Sequence, residues 1–212
     1  FFSDRFLIKK NVCFDEKQPK RMLNRFVDND FVVSHFRLST AGGKTLDNTQ
    51  PIKLDNLILV HNGHLSGYST ISLTKSDSYK LALTIEQEFK QSHDEIKAIK
   101  TGLDSENYYS VFAYFPATKR LFYVKDSVTD FKFFLVKDKV NNNFFLVGCT
   151  KKDNIKNLKH KKEMFGIPVN AKGFKVIGEL EPEPNKIYEL TNSGLVFSGQ
   201  STKEVEYKSY TT

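Results

Sequence analysis

The sequence has no tryptophan, two methionines and two cysteines in 212 residues. Two thiols, Cys13 and Cys149, exclude a disulfide framework and a four-thiolate metal site, and they fit a reducing, cytoplasmic compartment. No run approaches the ~20 consecutive apolar residues of a membrane-spanning helix. No secretory or transit-type leader is read at the start, which is Phe1-Phe2-Ser3 rather than Met and is expected to be a processed or trimmed end. Six prolines and 11 glycines are too scattered to form a linker, and no repeat divides the chain, so residues 1–212 read as one domain.

What is present is aromatic and basic. Nineteen Phe and nine Tyr raise the aromatic fraction to 13% and the hydrophobic fraction to 39%, too much apolar surface for a disordered chain. The net charge of +7 invites a nucleic-acid partner, but the lysines are dispersed. Their densest cluster, Lys151 to Lys162, has the spacing of a solvated helix face and lacks the interleaved aromatics of a single-strand platform. Nucleic acid and membrane are therefore not expected partners.

Periodicity supplies the elements. Phe6 to Phe14 reads as a strand, and Pro19 opens a short helix with Met22, Leu23 and Phe26 on one side. Phe31 to Leu38 alternates, with Val32, Phe36 and Leu38 on one face and His35, Arg37 and Ser39 on the other. Leu57 to Val60 leads into His61-Asn62-Gly63. After Ser76-Asp77-Ser78 the spacing of Leu81, Ala82, Ile85 and Phe89 predicts a helix, and a second helical piece ends near Asp104. Strands follow over Ser110 to Phe115, Arg120 to Lys125, Phe131 to Lys137 and Asn143 to Cys149. A basic helix to about Phe165 comes next, then Lys186 to Leu190 and Leu195 to Phe197 about an Asn192-Ser193-Gly194 turn. Strands and helices come in runs, not in βαβ alternation, which predicts an α+β fold with antiparallel sheets.

Three local patterns could carry chemistry: His35-Phe36-Arg37-Leu38-Ser39-Thr40, His61-Asn62-Gly63 and Ser76-Asp77-Ser78. Each has a plain structural reading. Arg37 is compatible with a surface strand position. Asn-Gly is a common hairpin turn, because both residues tolerate positive φ. Asp77 or its serine neighbours suit a helix cap.

Taken in order, they resemble the class II glutamine amidotransferase (glutaminase) domain, an N-terminal-nucleophile (Ntn) hydrolase. That family has a His-x-Arg-x-(Ala/Ser)-Thr strand, a Val-His-Asn-Gly turn and a Ser-Asp-(Ser/Thr) before a helix. The spacings are similar to those of its stand-alone and phage-like members. The hairpin ending in Lys125-Asp126, the strand Phe144 to Thr150 and the segment Glu183-Pro184-Asn185-Lys186-Ile187-Tyr188 are similar to later parts of the domain. The resemblance implies a four-layer αββα sandwich and L-glutamine as substrate.

It also implies residue roles. Arg37 would hold the α-carboxylate, for which a planar guanidinium fork is suited. Asp77 would hold the α-amino group, Thr40 would line the pocket, and Asn62 with Gly63 would form the oxyanion hole. The general base in this family is the free amine of an N-terminal cysteine, so His35 and His61 are expected to be structural, and neither cofactor nor metal is expected. A synthase partner or a larger assembly would receive the ammonia.

Two departures accompany the resemblance. Gln50 precedes Pro51 where the family has His, and Phe1 stands in place of a nucleophile. Cys13 lies inside a predicted strand, and Cys149 is expected to be a small buried hydrophobe. The expectation is that a first strand, a helix and the N-terminal cysteine lie upstream of Phe1. The alternative is a catalytically inactive Ntn-fold domain used for binding or as a structural component. For that alternative Phe131, Phe133, Phe134, Phe144 and Phe145 would mark a contact surface rather than paired core strands.

Overall fold

The computed structural model describes residues 2–3, 31–35, 45–68, 74–150, 163–164, 167–168 and 174–203. The strands predicted over Phe6 to Phe14 and Phe36 to Leu38, the helix after Pro19 and the basic segment 151–162 lie outside them.

An antiparallel six-stranded sheet forms the centre. Its members are β3 (Ile52–Lys53), β4 (Ile58–Gly63), β5 (Tyr109–Phe115), β6 (Arg120–Lys125), β12 (Lys186–Thr191) and β13 (Gly194–Ser201). They run in the order β13-β12-β6-β5-β4-β3. A second antiparallel sheet, in the order β11-β7-β8, is built from β7 (Lys132–Asp138), β8 (Phe144–Cys149) and β11 (Phe174–Leu180). Short pairs join β1 (Phe2–Ser3) to β2 (Val32–Val33) and β9 (Glu163–Met164) to β10 (Ile167–Pro168).

Strand alternation explains the layers. All seven residues of β5 are buried, so both faces of the central sheet are covered. On one face Leu59, Val111, Ala113, Phe115, Phe122 and Val124 pack with Leu81, Ala82, Ile85 and Phe89 of α1 (Asp77–Ser92). Ala98, Ile99 and Leu103 of α2 (Glu95–Leu103) join the same core. On the other face Ile58, Val60, Phe112, Tyr114, Leu121 and Tyr123 meet Phe131 and Phe133 at the start of β7. Phe112, Tyr123, Phe131 and Phe133 stack mutually with centroids 4.7–6.4 Å apart, mostly edge-on or tilted. Such geometries suit the ring quadrupole.

The described residues thus build a helix layer and two sheet layers, an α+β fold with antiparallel sheets. Among them no helix is long and apolar enough to cross a membrane.

Three expectations change. Phe31 and Val33, not Val32, pack toward the core, and Val32 is exposed. Glu163–Met164, expected at the end of a helix, instead pairs as a strand with Ile167–Pro168. Strand β11 was not foreseen, since Phe174-Lys175-Val176-Ile177-Gly178 lacks clean alternation; its register slips between Val176 and Gly178. The phenylalanine-rich segments pair as β7 and β8, in keeping with the core-strand reading and not with a contact surface: Phe131, Phe133 and Phe134 are core, Phe145 is half-buried, and Phe144 is exposed.

Candidate active site

Of the residues singled out by sequence, Asn62, Gly63 and Asp77 meet where β4 ends and α1 begins. Asn62 and Gly63 do not form a hairpin turn. They are the last two residues of β4, paired with Ser110 and Tyr109 of β5, and both are exposed where the rest of the strand is buried. Alternation puts Asn62 on the face of Ile58 and Val60, toward the space between the two sheets. Its side-chain amide makes no hydrogen bond to the described residues.

Gly63 is required by its surroundings. Its φ is +138°, and a Cβ there would run into the carbonyl oxygen of Tyr108. That carbonyl also accepts the N–H of His64 at 2.9 Å. Tyr108 itself has φ +63° and is fixed from behind, its N–H donating to Asp126 Oδ2 at 2.5 Å. Asp126 is buried and takes two further N–H groups on Oδ1, from Val128 at 3.1 Å and Thr129 at 2.8 Å. The carboxylate after β6 therefore sets the backbone that walls Gly63. Sequence reading noted Asp126 only as part of a hairpin ending; its role becomes visible once β5 and β6 are paired.

Asp77 is the first residue of α1, but the cap is Ser76, whose Oγ accepts the N–H of Tyr79 at 3.2 Å. Asp77 is left to bind other groups. Its Oδ1 accepts the Ser78 N–H at 2.8 Å and its Oδ2 the Leu65 N–H at 3.1 Å. The Leu65 bond ties the segment after Gly63 to the helix start. The side chain is 12% exposed, and His64 Nδ1 stands 4.0 Å from Oδ2.

Behind this surface lies a buried polar brace that sequence reading missed. Gln50, joined to Pro51 by a cis bond, brackets the backbone of His61: Oε1 accepts the His61 N–H at 2.6 Å and Nε2 donates to the His61 carbonyl at 2.7 Å. Asn48 does the same for the helix start, accepting the Ser76 N–H at 2.8 Å and donating to the Thr74 carbonyl at 2.8 Å. The signal in the sequence was the segment Asn48-Thr49-Gln50-Pro51, similar to a family segment with Asn then Pro and departing from it at Gln50.

His61 Nδ1 lies 2.9 Å from Ser78 Oγ, with Asp77 Oδ1 3.4 Å beyond. The order resembles a nucleophile, base and acid. However, Ser78 and His61 are 3% and 2% exposed, so no substrate reaches them. Burial also lowers the His61 pKa to about 4 despite the opposing charge of Asp77, which makes it a poor base near neutrality. The pair is a structural rivet between β4 and α1.

Arg37 and Thr40, the other two residues assigned to the pocket, lie outside the described residues. Cys149 is half-buried on β8 beside Phe134 and Val136, not fully buried as expected, and Cys13 lies outside the described residues. Among the described residues no group of three or more His, Cys, Asp or Glu side chains is placed to hold a metal ion.

No protein-family model matches the chain. A curated relative, the glutamine–fructose-6-phosphate aminotransferase (isomerizing) of Helicobacter pylori strain J99, is 27% identical over 124 residues. The alignment takes in 53% of this chain and 20% of that enzyme. The chain resembles a class II glutamine amidotransferase domain. The amidotransferase-like chain thus spans about a fifth of the length of the curated relative it matches.

Solved structures similar to it include glutamine phosphoribosylpyrophosphate amidotransferase from B. subtilis, with 17% identity and a TM-score of 0.48 over 79% of this chain and 34% of that one. A second, described as the allosteric regulatory enzyme of purine biosynthesis, has 19% identity and a TM-score of 0.49 over the same shares. A glutamine aminotransferase class-II domain protein from Silicibacter pomeroyi has 11% identity and a TM-score of 0.40 over 71% of this chain and 70% of that one.

Proposed function

We propose that the chain is the glutaminase part of an amidotransferase and binds L-glutamine at the junction of β4 and α1. The observation that carries this reading is the exposed Asn62 amide, which makes no hydrogen bond to the described residues, beside Gly63 and within one short loop of the Asp77 carboxylate. A hydrolysed amide needs hydrogen-bond donors aimed at a developing oxyanion. A free amino acid needs a counter-charge for its ammonium group. Asn62 with the Gly63 backbone supplies the first, and Asp77 the second.

Arg37 takes the α-carboxylate. Thr40 lines the pocket beside it. The nucleophile that the resemblance implies is an N-terminal cysteine. Its thiolate attacks the side-chain amide carbon, the tetrahedral oxyanion rests on Asn62 and Gly63, and ammonia leaves as the thioester forms. Water then releases glutamate. The ammonia acceptor is handled by a synthase partner or another segment, and the protein works in the cytoplasm.

The test is ammonia release from L-glutamine by the natively processed protein. Alkylation of the terminal cysteine should abolish it, and Asn62→Ala should lower the rate by about 10²–10³ with the fold intact. A Cys-terminated protein that releases no ammonia contradicts the reading and favours the inactive, binding or structural form of the domain.

A further inference from the structure

The resemblance assigns Asp126 no functional role, yet its carboxylate governs the backbone on which the oxyanion is proposed to rest. The aim of the Gly63 N–H follows from the strand ladder. The Tyr109 carbonyl accepts the Asp126 N–H at 2.9 Å, on the β6 side. The N–H at the other end of that peptide, of Ser110, therefore points toward β4, where the register sets Asn62 opposite it. The Asn62 carbonyl then faces β5, which turns the Gly63 N–H, at the far end of the next peptide, away from β5. On that side β3 pairs only as far as Leu59, and the Gln50 bracket reaches only His61. The Gly63 N–H thus points to the open edge of the sheet.

What keeps it there is one carbonyl. Gly63 lies so close to the Tyr108 oxygen that a Cβ would stand 1.9 Å from it, and the same oxygen accepts the His64 N–H at 2.9 Å. Tyr108 itself sits at φ +63°, a region that an aromatic residue rarely adopts, and its side chain is 49% exposed. Its N–H donates to Asp126 Oδ2 at 2.5 Å. Asp126 is 3% exposed, and its Oδ1 is anchored by the N–H groups of Val128 and Thr129. We propose that Asp126 is a positioning residue of the oxyanion hole: through the Tyr108 carbonyl it fixes the Gly63 peptide and the aim of its N–H.

The inference rests on the proposed glutaminase reading and adds to it a residue that acts without touching substrate. A donor speeds the reaction only when aimed at the tetrahedral oxygen, so a misaimed one lowers kcat and spares KM. Asp126→Asn separates the two oxygens. With the amide oxygen kept on Val128 and Thr129, the amide nitrogen replaces Oδ2 and faces the Tyr108 N–H donor to donor. The loop after β6 keeps its bonds, and Tyr108 loses the one that holds it.

The experiment is the kinetics of ammonia release from L-glutamine by the natively processed protein, with thermal melts, for the parent, Asp126→Asn, Asp126→Glu and Ile99→Val. Asp126→Glu keeps the carboxylate but displaces it by one methylene, so it tests the same bond should the amide variant fail to fold. Each Asp126 variant should lower kcat about tenfold, part of the roughly 10²–10³ that removing a whole donor costs, with KM within about twofold of the parent. Ile99→Val, in the helix-side core, should lower the melting temperature and keep the parent kcat, which separates positioning from stability. The Gly63 amide resonance should shift in the folded Asp126 variants, a readout that needs no turnover. An active parent whose kcat survives in the folded Asp126 variants, a Gly63 resonance that does not move, or an equal fall in kcat in Ile99→Val overturns this inference and leaves the glutaminase reading standing. A parent that releases no ammonia overturns that reading and this inference with it.

Discussion

At the scale of single residues, the site is defined by what cannot change. Gly63 combines a φ of +138° with the Tyr108 carbonyl where a Cβ would be. Gly63→Ala should therefore cost about 3 kcal/mol in chemical denaturation, more than the loss of glycine flexibility in the unfolded chain gives back. A midpoint equal to that of the parent would contradict the geometry described here. His61 makes a prediction about pH. Its folded-state pKa is lowered by burial to about 4, against 6.5 ordinarily, so the unfolded chain binds the extra proton between these values. Stability from this group is complete above about pH 6.5 and is lost as pH falls toward 4, by about 3 kcal/mol in all. His61→Asn, which carries an amide in place of the titrating ring, should show a shallower decline than the parent between about pH 7 and about 4.5. An unchanged slope would place the titration elsewhere.

At the scale of elements, much of the frame was legible because its patterns are local. Helix α1 showed its 3.6-residue stripe and its Ser76 cap, and β5 to β8 showed runs broken by turn residues such as Asn142, whose φ is +58°. The motif around Asn62, Gly63 and Asp77 was legible as residues but not as geometry. Asn-Gly is the usual sign of a hairpin, yet here it ends a strand, because β5 pairs with it through Gly63. The brace behind the site was not legible. Gln50 lies 11 residues from His61 and 28 from Ser78 in sequence, and no periodicity couples such positions. Its effect is measurable all the same. Gln50→Ala strips the partners from the buried N–H and carbonyl of His61 and should destabilise the chain by about 2–3 kcal/mol. A loss under about 0.5 kcal/mol, the level of an ordinary surface change, would mean that these bonds do not hold β4 against α1.

At the scale of the whole molecule, the central sheet is covered on both faces, and the chemistry falls at an edge of that arrangement. Apolar alternation fills β4 up to Val60 and then yields to exposed Asn62 and Gly63, just where α1 presents Asp77. The aromatic cluster of Phe112, Tyr123, Phe131 and Phe133 holds the second sheet against the first, and the strand carrying Phe31 and Val33 packs on the same core. The α+β class followed from runs of strands and helices in the sequence. The place where the sheet opens did not, because it depends on registers between strands far apart in the chain. The most direct test of the central claim, that this edge is an amino-acid site for glutamine, is calorimetric titration of L-glutamine near neutral pH into the parent and into Asp77→Asn. The account predicts saturable one-to-one binding in the parent, weakened at least about tenfold in Asp77→Asn through loss of a charge-assisted contact. Equal binding by the two proteins, or no saturable binding by the parent, would contradict it.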